Sequence, residues 1–175
     1  MLLYLVRHAE AVELGTNGAT RDFDRPLTDR GRKQSRELAE AFAKRGIVVD
    51  AVAASPLVRA HQTATELLAV WHPGTRPVTC DELAIEKLKA AKLTAFLAAL
   101  PARGPRHPSR DEKAVVAVGH MPDLGEYVEW LLGAAPGSIQ MAKAATACVR
   151  FKGDPGRGTG ELLWLVTPEW SSAAA

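Results

Sequence analysis

Two histidines stand at the ends of apolar runs of similar character. Leu2 to Val6 lead into Arg7 and His8, and Ala114 to Val118 lead into Gly119 and His120. A third run, Ile47 to Ser55, meets Pro56 and then Arg59, while Arg76 to Cys80 end in Asp81 and Glu82. Two histidines, two or more arginines and a carboxylate suit a phosphomonoester better than an acyl substrate. A transferring phosphoryl group spreads negative charge over its equatorial oxygens, and its transfer is catalysed mainly by positioning and charge stabilisation. Arginine forks match phosphate oxygens and stay charged at any working pH. A neutral imidazole can attack phosphorus and form a covalent intermediate. A second, protonated histidine can donate to the same oxygens, and an acid near the leaving group can protonate it and then activate water.

Each residue also has a plainer account. Arginine and histidine often close a strand where both reach water. Ser55-Pro56 is fully explained as an N-cap followed by proline at the first helical position. Acidic residues such as Glu82 are ordinary at a helix start. Arg59 resists such an account, because a cation in a first turn opposes the helix dipole and suggests an anion nearby. His61 and His72 are expected on the surface or in packing. His107, with Arg103, Arg106 and Arg110, could overhang the site, although a solvated loop explains it as well.

The elements that must position these residues alternate. Leu2–Val6 is expected as a buried strand. Thr28 can cap a helix through Arg30–Arg45, with Leu38 and Phe42 on its inner face and Gly46 as its stop. Ile47–Ser55 reads as a second strand, followed by a helix burying Ala60, Ala64, Leu67 and Trp71. A short strand, Arg76–Cys80, leads to a third helix ending near Leu100. Residues 101–113 carry three prolines and no apolar period, and so form a loop. Ala114–Val118 is a further buried strand, and Met121–Gly133 a helix with Pro122 near its start. Ala145, Ala147, Val149 and Phe151 alternate in one strand, and Leu162, Trp164 and Val166 in another; Trp130 and Trp164 read as core. This order implies a three-layer α/β/α domain over residues 1–170, with a mostly parallel central sheet, a terminal strand pair, and a frayed tail at 171–175. In such sheets chemistry collects beyond the carboxyl ends of the strands.

Composition narrows the classes further. With 175 residues, 47% hydrophobic and 24% charged, the chain has the make-up of one globular domain. A net charge of +2 gives no argument for nucleic acid or an anionic membrane. No apolar run has the length of a membrane span, and Leu2–Val6 is too short for a signal peptide's apolar region. Cys80 and Cys148 are far apart, without the spacing of a zinc site or disulfide framework. A cytoplasmic protein without cofactor or metal is expected.

Four segments together resemble the histidine phosphatase, or phosphoglycerate-mutase-like, superfamily: VRHAEA at Val6–Ala11, DRPLTDRGRKQ at Asp24–Gln34, SPLVRAHQTA at Ser55–Ala64 and VGHMP at Val118–Pro122. They follow the family's order and span most of the chain. The resemblance implies that His8 is the nucleophile that becomes phosphorylated. It implies a phosphate pocket of Arg7, Arg59 and His120, a proton donor at Glu82, and substrate-side contacts from Arg25 and Met121. The short chain and the DRPLT segment are most similar to SixA-type phosphohistidine phosphatases, whose partner would be a phosphorylated protein. Ala9 replaces the glycine of the commoner RHG form. The segment from Glu82 to Leu100 is barely longer than one helix, where mutase-type members carry a long insertion, so an open site is expected. Two alternatives stand beside this reading: a small-molecule phosphomonoesterase of the same superfamily, and a catalytically silent phosphoprotein-binding module.

Overall fold

A computed structural model describes residues 1–16, 18–102 and 112–172. The strands are β1 (Leu2–Arg7), β2 (Ala51–Ala54), β3 (Val78–Thr79), β4 (Ala114–Gly119), β5 (Thr146–Arg150) and β6 (Glu161–Val166). They form one sheet in the order β3-β2-β4-β1-β5-β6. Pairing is parallel from β3 through β1 and antiparallel from β1 to β6. The helices are α1 (Asp29–Lys44), α2 (Val58–Trp71), α3 (Ala90–Ala99), α4 (Asp123–Leu132) and the short α5 (Pro168–Ser172).

The period of two along a strand sorts the core into two layers. Tyr4, Val6, Val116 and Val118 pack with Leu38 and Phe42 of α1 and Ala60, Ala64 and Leu67 of α2. Leu3, Leu5, Val115 and Ala117 pack with Leu93 and Leu97 of α3 and Leu124, Tyr127 and Leu131 of α4. Trp164 and Trp130 are only partly buried and close the edges of these layers. Trp164 stacks its ring 5.9 Å from that of Trp170 in α5, and the Arg45 guanidinium lies 3.8 Å from the Trp170 ring centroid.

Thr28 caps α1 as expected, its hydroxyl accepting from the Gly31 N–H at 3.0 Å. Gly31 is required there, because any Cβ would strike the carbonyl of Glu10. That close approach locks the start of α1 against the residues that follow His8. Gly46 takes a positive φ of 67° just past the helix end.

Three elements differ from expectation. The second strand is only Ala51–Ala54, because Ile47 still donates to the Phe42 carbonyl and strand pairing begins with Asp50 and Ala114. The third is two residues long; Pro77 offers no N–H to a ladder at this sheet edge. The helix after β2 begins at Val58 rather than at Pro56, with Leu57 in the cap position. The loop bearing Arg103, Arg106, His107 and Arg110 lies outside the described residues, as do 173–175; Ser171 and Ser172 complete α5.

Candidate active site

Strand parity explains why the two histidines meet. β1 and β4 are parallel neighbours with Val6 opposite Val118 and Arg7 opposite Gly119. His8 and His120 are the next residues on the same face as Val6 and Val118, which is the face covered by α2. The His8 N–H continues the pairing to the Gly119 carbonyl at 3.0 Å. The two rings lie 5.1 Å apart, centroid to centroid, and both are buried.

Their nitrogens are engaged differently. His8 Nδ1 lies 2.7 Å from the carbonyl oxygen of Ala9, so Nδ1 carries the proton and Nε2 keeps its lone pair. That lone pair accepts a hydrogen bond from Arg59 Nε at 3.2 Å. Burial pushes the His8 pKa down to about 3; the Ala9 contact works against this, and the charges of Arg59, Arg7 and Lys143 add to it. His120 is likewise lowered to about 3, by burial first and then by His8 and the arginines, with Asp22 opposing. Both imidazoles are therefore neutral at pH 7. His120 Nε2 lies 2.9 Å from Ser55 Oγ, and that oxygen also accepts the Leu57 N–H at 3.2 Å. With the Ser55 hydroxyl donating to Nε2, the proton sits on His120 Nδ1, which is buried without a partner.

Arg59 occupies the second position of α2, where the helix dipole alone disfavours it. The missing anion is Asp22. Arg59 Nη1 donates to the Asp22 carbonyl at 2.7 Å and Nη2 to its Oδ2 at 2.8 Å. Arg25 donates from Nη1 to Asp22 Oδ1 at 2.8 Å and from Nε to the Val12 carbonyl at 2.7 Å. Burial alone raises the Asp22 carboxyl, but the hydrogen bonds from Arg25 and Arg59 outweigh it and hold the group below its ordinary value. Arg7 ends β1, where Nη1 donates to the Met141 carbonyl at 2.7 Å and Nε is buried without a partner. Next to it, the Ala144 N–H is shared between the carbonyls of Arg7 and His8, at a φ of 59° that alanine seldom takes.

The remaining sequence candidates sit further out. Glu82 is ion-paired with Lys92 and accepts from Cys80 Sγ at 3.5 Å. The Lys92 bond is the main reason its carboxyl is held below the ordinary value. Glu82 and Asp22 do share the lining of one cavity, about 660 Å³, with Phe23, Leu57 and Lys87. Met121 lines a different cavity, beside Trp130 and Ile139. Sequence reasoning missed Asp22 and Lys143 and left Ser55 with a capping role alone. The i, i+3 pair of Asp22 and Arg25 was the one local signal for the former. Among the described residues, no group of three or more His, Cys, Asp or Glu side chains could hold a metal ion. No helix among them is long and apolar enough to cross a membrane.

Two neutral histidines facing one another, ringed by arginines at the carboxyl ends of parallel strands, make a site for an oxyanion and a nitrogen nucleophile. The sequence profile of the histidine phosphatase superfamily (branch 1) matches residues 3–86. An uncharacterised protein of Picosynechococcus sp. is 32% identical over 173 residues, covering 97% of this chain and 98% of its own. The chain belongs to the histidine phosphatase superfamily. It is a phosphatase, and its fold is that of the SixA type. The structure of the protein histidine phosphatase SixA complexed with tungstate superposes with a TM-score of 0.75 and 25% identity, over 96% of this chain and 97% of that one. A chain from Nakamurella multipartitia assigned to SixA gives 0.70 and 25%, over 95% of each.

Proposed function

We propose that this histidine phosphatase removes the phosphoryl group from phosphohistidine on a partner protein, through a phosphorylated His8. The observation that carries the substrate class is the state of the two carboxylates at the site. Asp22 is held ionised by Arg25 and Arg59, and Glu82 by Lys92. An alkoxide leaves poorly unless an acid protonates it, and neither group is an acid at neutral pH. An imidazole leaves as a neutral molecule once its far nitrogen carries a proton, and needs no such help. The likeness to SixA supports the same class.

The steps follow from the geometry. The phosphoryl oxygens take the inner edge of Arg59, the free Nε of Arg7 and the Nδ1–H of His120. His8 Nε2 turns its lone pair from Arg59 to phosphorus. The new N–P bond forms as the bond to the substrate imidazole breaks, and the departing nitrogen keeps the electron pair. Water then attacks phosphorus, the P–Nε2 bond breaks, and His8 recovers its lone pair with release of phosphate. The field of Arg7, Arg25 and Arg59 offsets the negative charge throughout.

Quenching the enzyme during turnover and assaying the protein-bound phosphoryl group tests the reading. An acid-labile, alkali-stable adduct at His8, absent from His8→Ala, is expected. Undiminished turnover in His8→Ala overturns it.

A second reading, hydrolysis of a small phosphomonoester, draws on the cavity beside Asp22, whose volume of about 660 Å³ suits a small ligand. It would require Glu82 to leave Lys92 and act as an acid. Loss of ester hydrolysis in Glu82→Gln, with phosphohistidine hydrolysis retained, separates the two substrates.

A further inference from the structure

The Arg59 guanidinium is shared by two residues. On one edge, Nε touches His8 Nε2 at 3.2 Å; on the other, Nη1 and Nη2 hold the main chain and carboxylate of Asp22 at 2.7 and 2.8 Å. A phosphoryl group seated on this guanidinium therefore has the nucleophile on one side and a carboxylate on the other. Asp22 also borders the cavity of about 660 Å³ that Leu57, Glu82 and Lys87 line, so its carboxylate has solvent on the side away from Arg59. It sits on a short 3-10 turn, Asp22–Asp24, that buries no residue, and its side chain is 46% exposed. Each Asp22 oxygen accepts one charged hydrogen bond, leaving lone pairs unused. Glu82 is a weaker candidate for the same work. Its partners are Lys92 and Cys80, and neither bonds to His8, His120 or Arg59.

We propose that Asp22 is the general base of the second half-reaction, activating the water that attacks phospho-His8. This rests on the phospho-His8 reading above. In the step, the water oxygen bonds to phosphorus while one water proton passes to an Asp22 oxygen. The P–Nε2 bond breaks with its electron pair returning to His8, and phosphate leaves. The protonated Asp22 then loses its proton to solvent, a loss that Arg25 and Arg59 promote. The ionisation that makes Asp22 a poor acid for an ester suits it to this role. One carboxylate, placed across a guanidinium from the nucleophile, thus sets the fate of the intermediate.

The experiment is rapid-quench kinetics on Asp22→Asn with an aryl phosphate or phosphohistidine substrate. A burst of one phosphoryl group per enzyme is expected, followed by turnover slowed about 10²-fold or more. Phospho-His8 should become the main steady-state species, and KM should fall with kcat. Asp24→Asn is the control, since Asp24 pairs with Arg21 on the exposed side of the turn at 2.6 Å. Turnover at the wild-type rate, or a slow first step without accumulation, overturns the proposal; the latter makes Asp22 a positioning residue for Arg59. Should Asp22→Asn melt well below the wild type, Asp22→Ser is judged by the same burst. A wild-type enzyme with no adduct at His8 instead overturns the phospho-His8 reading itself.

Discussion

The ends of β1 and β4 look alike in sequence and in burial, yet they deliver histidines whose ring nitrogens are engaged in opposite ways. At β1, the chain turns so that the Ala9 carbonyl takes the His8 Nδ1 proton, leaving Nε2 as an electron pair aimed into the site. At β4, Ser55 reaches across from β2 to His120 Nε2, and the unpartnered atom is Nδ1. The one ring offers a lone pair and the other an N–H. Neither the strand nor the depth of burial decides this; a single hydrogen bond to the opposite nitrogen does. The second partner of a histidine is thus as informative as its distance to substrate.

This contrast can be broken in graded steps. Replacing His120 with alanine removes a donor to the phosphoryl oxygens, and kcat should fall about 10²- to 10³-fold. Phospho-His8 should still form, which quench-flow would detect; its complete loss would show that the two rings are not divided as donor and nucleophile. Ser55→Ala is milder. It frees His120 to exchange tautomers, and kcat should drop about 5- to 10-fold. The same change made in His120→Ala should cost nothing more, because the two residues act through one proton. An additive double mutant would uncouple them.

The smallest effect concerns pH. Both imidazoles are lowered from near 6.5 to about 3 in the fold. The unfolded chain therefore binds more protons than the native one between those values, so stability is full above about pH 6.5 and declines as pH falls toward 3. His8→Asn and His120→Asn should each flatten that decline in chemical unfolding. The kcat/KM of wild type on a stable aryl phosphate should show no His8 inflection near 6.5, since its lone pair stays available far below that value. An inflection there that vanishes in His120→Asn would assign it to the other ring.

Much of this site was legible because it hangs on apolar runs. Val6 and Val118 announce strands, and the residues that follow them on the same face can be placed by counting. Arg59 was found by its conflict with the helix dipole, a local electrostatic oddity visible in one dimension. Asp22 resolves that conflict but lies in a polar turn with no apolar period, 37 residues from its partner. Only a tertiary contact makes it special. Ser55 was given a helix start it does not make, since α2 begins three residues later. A hydroxyl that stabilises a turn and one that orients an imidazole carry the same letter. Met121 follows His120 directly, yet lines the cavity beside Trp130 and Ile139, because the strand has ended and the chain is turning into α4. Shortening of β2 and β3 was equally hidden. It depends on where Asp50 meets Ala114 and on the absent N–H of Pro77, both questions of pairing rather than propensity.

The position of β1 has a consequence in time. Its two sheet neighbours are β4 and β5, residues 114–119 and 146–150, so β1 has no sheet partner until those much later residues exist. At ordinary translation speeds, roughly 5–20 residues per second, that wait is on the order of ten seconds. During it, Leu2 to Val6 form an unpaired, apolar, β-prone segment of the kind that chaperones shield and aggregates recruit. His8 therefore acquires its neighbours late, since it bonds to Gly119 and faces His120. The architecture that joins distant segments into one site also makes assembly of that site wait for β1 to pair with β4.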